Sequence, residues 1–167
     1  CLDLGAGNGA VAKHVSRMGW EVVGVEPSDA GYEQACRNHP ELSFHQAPAT
    51  PDLATTLGQF PLVYSLEVVE HVYLPRVYAK ALAALTAPGG TCVVSTPYHG
   101  YWKNLAIALS NKFDGHVSPL TDYGHIKFWS MATLRILLEE AGFHSLDFVR
   151  VGRIPPLAKS MIVIARR

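Results

Sequence analysis

The run Cys1-Leu2-Asp3-Leu4-Gly5-Ala6-Gly7-Asn8-Gly9 decides the fold. Its first four residues read as the end of an apolar strand that carries one acid, and a glycine turn follows at once. From Asn8 to Met18 the pattern becomes helical, with Val11, Val15 and Met18 on one face and Gly19 as the stop. A strand that enters a helix through a glycine turn is the opening crossover of a doubly wound α/β sheet, and the ligand crevice of such a sheet lies at that junction. Glycines let the backbone approach a bound group closely, and the helix behind the turn begins with unpaired N–H groups. Because the chain opens inside a strand, residues are expected to be missing upstream.

Outward from the turn, short apolar or β-branched runs recur at Glu21–Val25, Leu42–Gln46, Leu62–Leu66, Thr91–Ser95, Leu146–Val151 and Met161–Ala165. Two further helical patterns separate them. Pro75 to Thr86 turns Val77, Ala81, Leu82 and Leu85 inward behind a first-turn proline. Met131 to Ala141 follows Ser130 as N-cap and stops at Gly142. Alternation of strand and helix implies parallel pairing through right-handed crossovers. The connection Gly152-Arg153-Ile154-Pro155-Pro156 is too short for a crossover helix, so the last two strands should be antiparallel. Tyr98 to Trp129 is a connection of insertion size.

Hydrophobic residues make up 49% of the 167, enough for one sizeable core, and no repeat or linker divides the chain. Residues 1–167 are therefore expected to form a single domain. The 14 basic and 14 acidic residues cancel, which argues against a polybasic nucleic-acid binder or an acidic tail. No apolar run approaches the ~20 residues that span a bilayer, and no leader pattern opens the chain. Three cysteines, Cys1, Cys36 and Cys92, are odd in number and widely spaced, against a disulfide scaffold or a thiolate zinc site. The expectation is a soluble, cytoplasmic protein without a nucleic-acid partner.

Two ligand classes fit the glycine turn. Gly5, Gly7 and Ala10 satisfy the dinucleotide fingerprint, which ends in Gly or Ala. Asp3, inside the strand, suits a positively charged ligand group better than a pyrophosphate, although a carboxylate there can also simply cap the turn. Glu26 closes the second strand after Val22-Val23-Gly24-Val25, where an acid accepts both hydroxyls of a ribose in either ligand class. These residues point to a nucleoside.

With those motifs in place, the chain resembles the class I S-adenosylmethionine-dependent methyltransferases over essentially its whole length. The resemblance rests on the glycine turn, the Val-Gly-Val-Glu26 strand end, Ser65-Leu66-Glu67-Val68-Val69-Glu70-His71-Val72, and Leu85-Thr86-Ala87-Pro88-Gly89-Gly90-Thr91, in the family's order and spacing. Ser95-Thr96-Pro97, Phe128-Trp129-Ser130 and Ala141-Gly142-Phe143 bring it nearest to the ubiquinone-biosynthesis O-methyltransferase branch. The resemblance implies a Rossmann-like, doubly wound α/β sheet of seven strands in the order 3-2-1-4-5-7-6, the last antiparallel, with the usual upstream cap helix absent from these residues. It implies S-adenosyl-L-methionine as cofactor and a small-molecule acceptor. Gly5, Ala6 and Gly7 would lie under its methionine and ribose, Asp3 would hold the ammonium, and Glu26 the ribose hydroxyls. Pro27, Ser28 and Ala47 would flank the adenine, and Leu66 the methionine side. Two positions depart from the family pattern: Gln46-Ala47-Pro48-Ala49 lacks the acid that often binds the adenine amino group, and Phe60-Pro61 replaces Phe-Asp.

Methyl transfer from a sulfonium needs donor and acceptor aligned and, for a hydroxyl acceptor, a place for its proton. His71, His99 and His125 are eligible bases, with Glu67 and Glu70 near them. If the segment after the fourth strand is helical, Glu67, Glu70 and His71 share one face, and with His125 they match a divalent metal site of the kind that metal-assisted O-methyltransferases use. The alternatives are His125 or His71 as a metal-free base, or no base at all. Tyr98, Tyr101, Trp102, Leu105 and Leu109 form an apolar stripe at helical spacing, expected in the core, with Lys103, Asn104 and Lys112 off it. The alternative for Tyr98–Lys112 is a lid or a peripheral membrane contact. Two other functions compete with O-methyl transfer: a nicotinamide-dependent oxidoreductase, and a non-catalytic S-adenosylmethionine-binding module.

Overall fold

A computed structural model describes all of residues 1–167. In chain order the elements are β1 (Leu2–Leu4), α1 (Ala10–Ser16), β2 (Val23–Glu26), α2 (Asp29–Asn38), β3 (Ser43–Gln46), α3 (Leu53–Leu57) and β4 (Phe60–Leu66). There follow α4 (Pro75–Leu85), β5 (Thr86–Pro97), α5 (Tyr101–Leu109), α6 (Phe113–Val117), α7 (Met131–Glu140), β6 (His144–Val151) and β7 (Ser160–Arg166). The seven strands form one sheet in the order β3-β2-β1-β4-β5-β7-β6. All neighbours from β3 through β5 run parallel, whereas β7 is antiparallel to both β5 and β6. The expected topology is therefore the observed one. No helix is long and apolar enough to cross a membrane.

Alternation along the strands separates two cores. Leu2, Leu4, Val25 and Val63 join Leu53 of α3, Tyr78 and Leu82 of α4, and Leu134 and Leu138 of α7. On the opposite face Cys1, Val22, Phe44 and Tyr64 meet Ala12 of α1 and Ala35 of α2. That second face is thin, because small alanines let α1 and α2 sit close to the sheet. The thinness corrects the reading of α1. Its contacts with the sheet are Ala12 and the half-buried Val15, while Val11 is exposed and Met18, beyond the end of the helix, is 68% exposed. A period of apolar residues identifies a helix but not which neighbour it packs against.

Local signals fared better elsewhere. Ser130 caps α7 and shares a reciprocal capping box with Thr133. Ala81, Leu82 and Leu85 of α4 are buried as expected, together with Tyr78 and Ala79. Pro61, which has no N–H to donate, sits where the β4–β5 register shifts.

The apolar stripe of α5 is the largest reversal. Of that helix only Lys103 is buried, at 7% exposure, and Tyr101, Trp102 and Leu109 lie on the surface. The helix leans on the Pro155–Leu157 turn and on α6 rather than on the sheet. Tyr98, at the end of the stripe, does join the main core.

Candidate functional site

The glycine turn is pinned from below. Gly5 and Ala6 N–H groups both donate to Val25 O (2.8 and 2.9 Å), and Ser65 Oγ donates to Leu4 O at 2.6 Å. Gly5 needs its glycine twice over: its φ is +91°, and a Cβ there would stand 2.4 Å from Val68 Cγ2. Gly7, at φ +53°, has nothing within 4 Å of the place a Cβ would take, so the turn is open above it.

Glu26 is tied to this turn. Its Oε2 accepts from Gly7 N at 2.9 Å, and its Oε1 accepts from Ser28 N at 3.0 Å and Ser28 Oγ at 2.7 Å. The same Ser28 Oγ caps α2 by accepting from Gly31 N. An ionised carboxylate has about four acceptor sites, so this one is held rigidly by three bonds and still has a lone pair on Oε2 to offer a ligand. Beside it a groove of about 430 Å³ runs between the turn and the segment after β3, lined by Gly5, Pro27 and Ala47 and floored by Val68, Val72 and Tyr78. Of the residues singled out from the sequence, Gly5, Pro27 and Ala47 line the groove, and Gly7, Glu26 and Ser28 form the hydrogen-bonded edge next to it. Ala6 and Leu66 pack into the thin core beneath. Val68, Val72, Tyr73, Leu74 and Val77, also part of the wall, escaped the sequence reading. Their signal is an apolar run that interleaves with and then follows the acids of the post-strand segment.

Asp3 lies under the turn, buried, with Oδ2 free of any hydrogen bond. Burial is the main cause that pushes its carboxyl up to about 7; the Tyr64 hydroxyl opposes the shift and the Glu26 charge adds to it. An unpartnered buried carboxyl is costly as an anion and is relieved by a cation.

The segment after β4 is a turn, not a helix, because Glu67 takes a left-handed φ of 55°. The helical face proposed for Glu67, Glu70 and His71 therefore does not form. The tertiary structure assembles a different group. Ile126 N and Lys127 N both donate to the Glu70 carbonyl (3.0 and 3.1 Å), and Trp129 Nε1 donates to Val69 O at 3.2 Å. These bonds stitch the end of the long insertion to the turn and bring His125 beside Glu70 and His71, with one ligand atom of each residue within 4.8 Å of the others. Glu67 stays apart, its Oε1 accepting from Ser95 Oγ. His99 is a buried neighbour rather than a member, and burial takes its imidazole down to about 4.

Each member of the trio is oriented. Glu70 is 1% exposed; its Oε2 accepts from Thr96 Oγ1 at 3.0 Å, and its Oε1 has no partner. Burial raises its pKa. His71 Nδ1 lies 3.0 Å from Tyr123 O and 3.2 Å from Gly124 O, so Nδ1 carries the proton and Nε2 keeps its lone pair when the ring is neutral. His125 stands 4.0 Å from Glu70 Oε1, beyond hydrogen-bond length, and burial and the His71 charge lower its pKa. Ligands held about 2.0–2.2 Å from one divalent ion lie roughly 3–4.4 Å apart. An orphaned buried carboxylate oxygen beside two imidazoles, with the three ligand atoms within 4.8 Å of one another, would hold a divalent cation after at most a slight closure, and without a cation the same imidazoles can accept a proton.

Comparison with known proteins places the chain in a family. A family model described as a methyltransferase domain matches residues 1–147. The chain is 28% identical over 158 residues to a ubiquinone biosynthesis O-methyltransferase of Aeromonas salmonicida, covering 92% of this chain and 66% of that one. It is 36% identical over 157 residues to the protein of the same name from Psychrobacter cryohalolentis, covering 89% and 60%. The chain thus spans less than two thirds of the length of these relatives. Among solved structures, the magnesium protoporphyrin IX methyltransferase of Synechocystis PCC 6803 with bound S-adenosylhomocysteine superposes with a TM-score of 0.74 at 20% identity, covering 99% of this chain and 73% of that one. The strand order, the glycine turn and the family match over most of the chain agree: the protein belongs to the class I S-adenosylmethionine-dependent methyltransferases.

Proposed function

We propose that residues 1–167 act as one S-adenosylmethionine-binding domain that methylates a hydroxyl oxygen of a small-molecule acceptor. The observation that carries this reading is the Glu26 carboxylate, locked by Gly7 and Ser28 at the edge of an apolar groove. Bound S-adenosylmethionine supplies an electrophilic methyl carbon whose thioether leaving group needs no proton. Glu26 accepts the ribose hydroxyls, one through its free lone pair and the other in place of the Ser28 Oγ bond, which yields to it. Pro27 and Ala47 give the adenine apolar walls, and backbone groups replace the acid that Gln46-Ala47-Pro48-Ala49 lacks. Gly5, Ala6 and Gly7 lie under the methionine and ribose, with Leu66 near its methionine side. Asp3 takes the ammonium, which supplies the cation its buried carboxyl lacks.

The acceptor end is the trio of Glu70, His71 and His125. The unpartnered Glu70 Oε1 favours the neutral imidazoles acting together with it as ligands, the hydroxyl proton then leaving to solvent, over either imidazole taking that proton as a lone base. A divalent cation held by the three would supply charge that favours ionisation of the acceptor hydroxyl. Glu67, fastened to Ser95, sets the turn that carries them rather than joining the ligands. Oxygen as the acceptor atom is supported by the relatives, both named O-methyltransferases. The three free cysteines support a reducing, cytoplasmic setting. Exposed Tyr101, Trp102 and Leu109 support peripheral contact of α5 with a membrane surface.

Calorimetry with S-adenosylhomocysteine, followed by a search for its production with a panel of phenolic acceptors, tests the reading. Binding with turnover is expected. Binding without turnover of any acceptor would favour the non-catalytic module, and binding of a nicotinamide dinucleotide instead would end the proposal.

A further inference from the structure

A second cavity, of about 640 Å³, lies between α5, α6 and the β6–β7 connection. Its lining includes Lys103, Lys112, His116 and Arg153, and no Asp or Glu. None of these four side chains has a salt-bridge partner.

Lys103 is the unusual member. The residue is 7% exposed, yet its ammonium makes a single hydrogen bond, Nζ donating to Lys159 O at 3.1 Å. An ammonium has three donors, so two N–H groups remain without a protein acceptor. Burial and the Arg153 charge press the Lys103 pKa down, and the Glu67 charge only partly offsets them. A buried cation without an anion is costly, and proteins that keep one normally supply its counter-charge.

The cavity adjoins the acceptor end of the site. The His116 ring on its wall lies 5.1 Å from the His99 ring. The His125 charge acts on both His99 and His116, and Lys103 acts on both as well.

We propose that this cavity is an oxyanion subsite that binds a carboxylate or phosphate group carried by the methyl acceptor, with Lys103 and Arg153 as its principal contacts. The assignment of the anion to the acceptor rests on the methyl-transfer reading above; the anion site itself does not. Lys103 supplies a fixed point charge from below, and Arg153, on the exposed rim, supplies a planar fork suited to two oxygens.

The test uses benzoate, its uncharged counterpart benzamide, and inorganic phosphate, titrated into the whole chain by calorimetry. Benzoate should bind at least about tenfold more tightly than benzamide, phosphate should compete with it, and Arg153→Gln and Lys103→Met should each remove most of that preference. Arg153 is exposed, so the first variant reads out even if loss of the buried lysine unfolds the protein. Equal binding of benzoate and benzamide, or a preference untouched by Arg153→Gln, overturns the subsite. Turnover then separates the sources. A phenolic acceptor bearing a carboxylate should have a KM about tenfold below that of its uncharged analogue, and Arg153→Gln should erase the difference. Anion binding without any such KM difference overturns the assignment to the acceptor. Failure of S-adenosylhomocysteine to bind would strike the methyltransferase reading alone.

Discussion

Ser95 and Glu67 clasp each other across the ends of β4 and β5. Ser95 Oγ donates to Glu67 Oε1 at 2.7 Å and accepts from Glu67 N at 3.1 Å. Glu67 sits at φ 55°, a left-handed conformation that costs a non-glycine residue about 1–2 kcal/mol. The clasp holds that conformation, and the conformation turns the chain so that Glu70 points back under Thr96. Ser95→Ala should therefore lower stability by about 1–2 kcal/mol, read from the urea midpoint. It should also weaken any cation binding at Glu70, His71 and His125. An unaltered midpoint would remove the clasp from the account of this turn.

Glu26→Ala should weaken S-adenosylhomocysteine binding by about tenfold to a hundredfold, since it removes charge-assisted bonds worth roughly 1.5–3 kcal/mol each at most. Glu26→Gln, which keeps the shape and part of the acceptor capacity, should fall between. Calorimetry on folded variants measures both, and an Ala variant of native affinity would reject Glu26 as the ribose acceptor.

Asp3 offers a test in which stability and binding move in opposite directions. Its folded pKa of about 7 stands above the ordinary value of 3.8, so the folded state prefers the proton. The cost of Asp3 is absent below about pH 4 and grows as pH rises toward 7. Asp3→Asn should thus stabilise the free protein at pH 8, and leave it little changed at pH 4. The same change should weaken S-adenosylhomocysteine binding, because the neutral amide attracts an ammonium poorly. Thermal melts at the two pH values, with and without ligand, separate these effects. A variant that loses stability at pH 8 would show that the carboxylate serves the fold instead.

The trio of Glu70, His71 and His125 predicts a combined metal and pH response. Activity should vanish with a chelator and return on adding a divalent ion. It should also fall on acidification, because an imidazole must be neutral to ligate or to take a proton. Burial lowers the His125 pKa, so its contribution to the acid limb should lie below the usual ~6.5. Glu70→Gln should abolish the metal response. Full activity in chelator, with an acid limb that disappears in His125→Gln, would identify a lone base.

Gly5→Ala should prove severely destabilising, by roughly 2 kcal/mol or more, because it combines a left-handed φ with a 2.4 Å approach to Val68. Gly7→Ala, with open space around it, should cost less in stability and more in cofactor affinity. Denaturation and calorimetry on the pair would expose the contrast, and equal stability losses would refute it.

The local parts of this protein were legible in its residues. The apolar runs located the strands, the glycine turn and Glu26 located the groove at the ends of β1 and β2, Ser130 located a helix start, and the short Gly152–Pro156 link required the antiparallel end of the sheet. Each is a short-range matter of side-chain period, backbone freedom or connection length. The rest was decided in three dimensions. A stripe of apolar residues on α5 predicts a buried face, yet that helix packs mainly on the Pro155–Leu157 turn and α6 and buries Lys103 in its place. Glu67, Glu70 and His71 have helical spacing, but the Ser95 clasp holds Glu67 left-handed and dissolves the shared face. His125 reaches Glu70 only because Ile126 and Lys127 bond to the Glu70 carbonyl. Sequence period reports what a segment can present; which partner it meets depends on long-range hydrogen bonds and packing that no local pattern encodes.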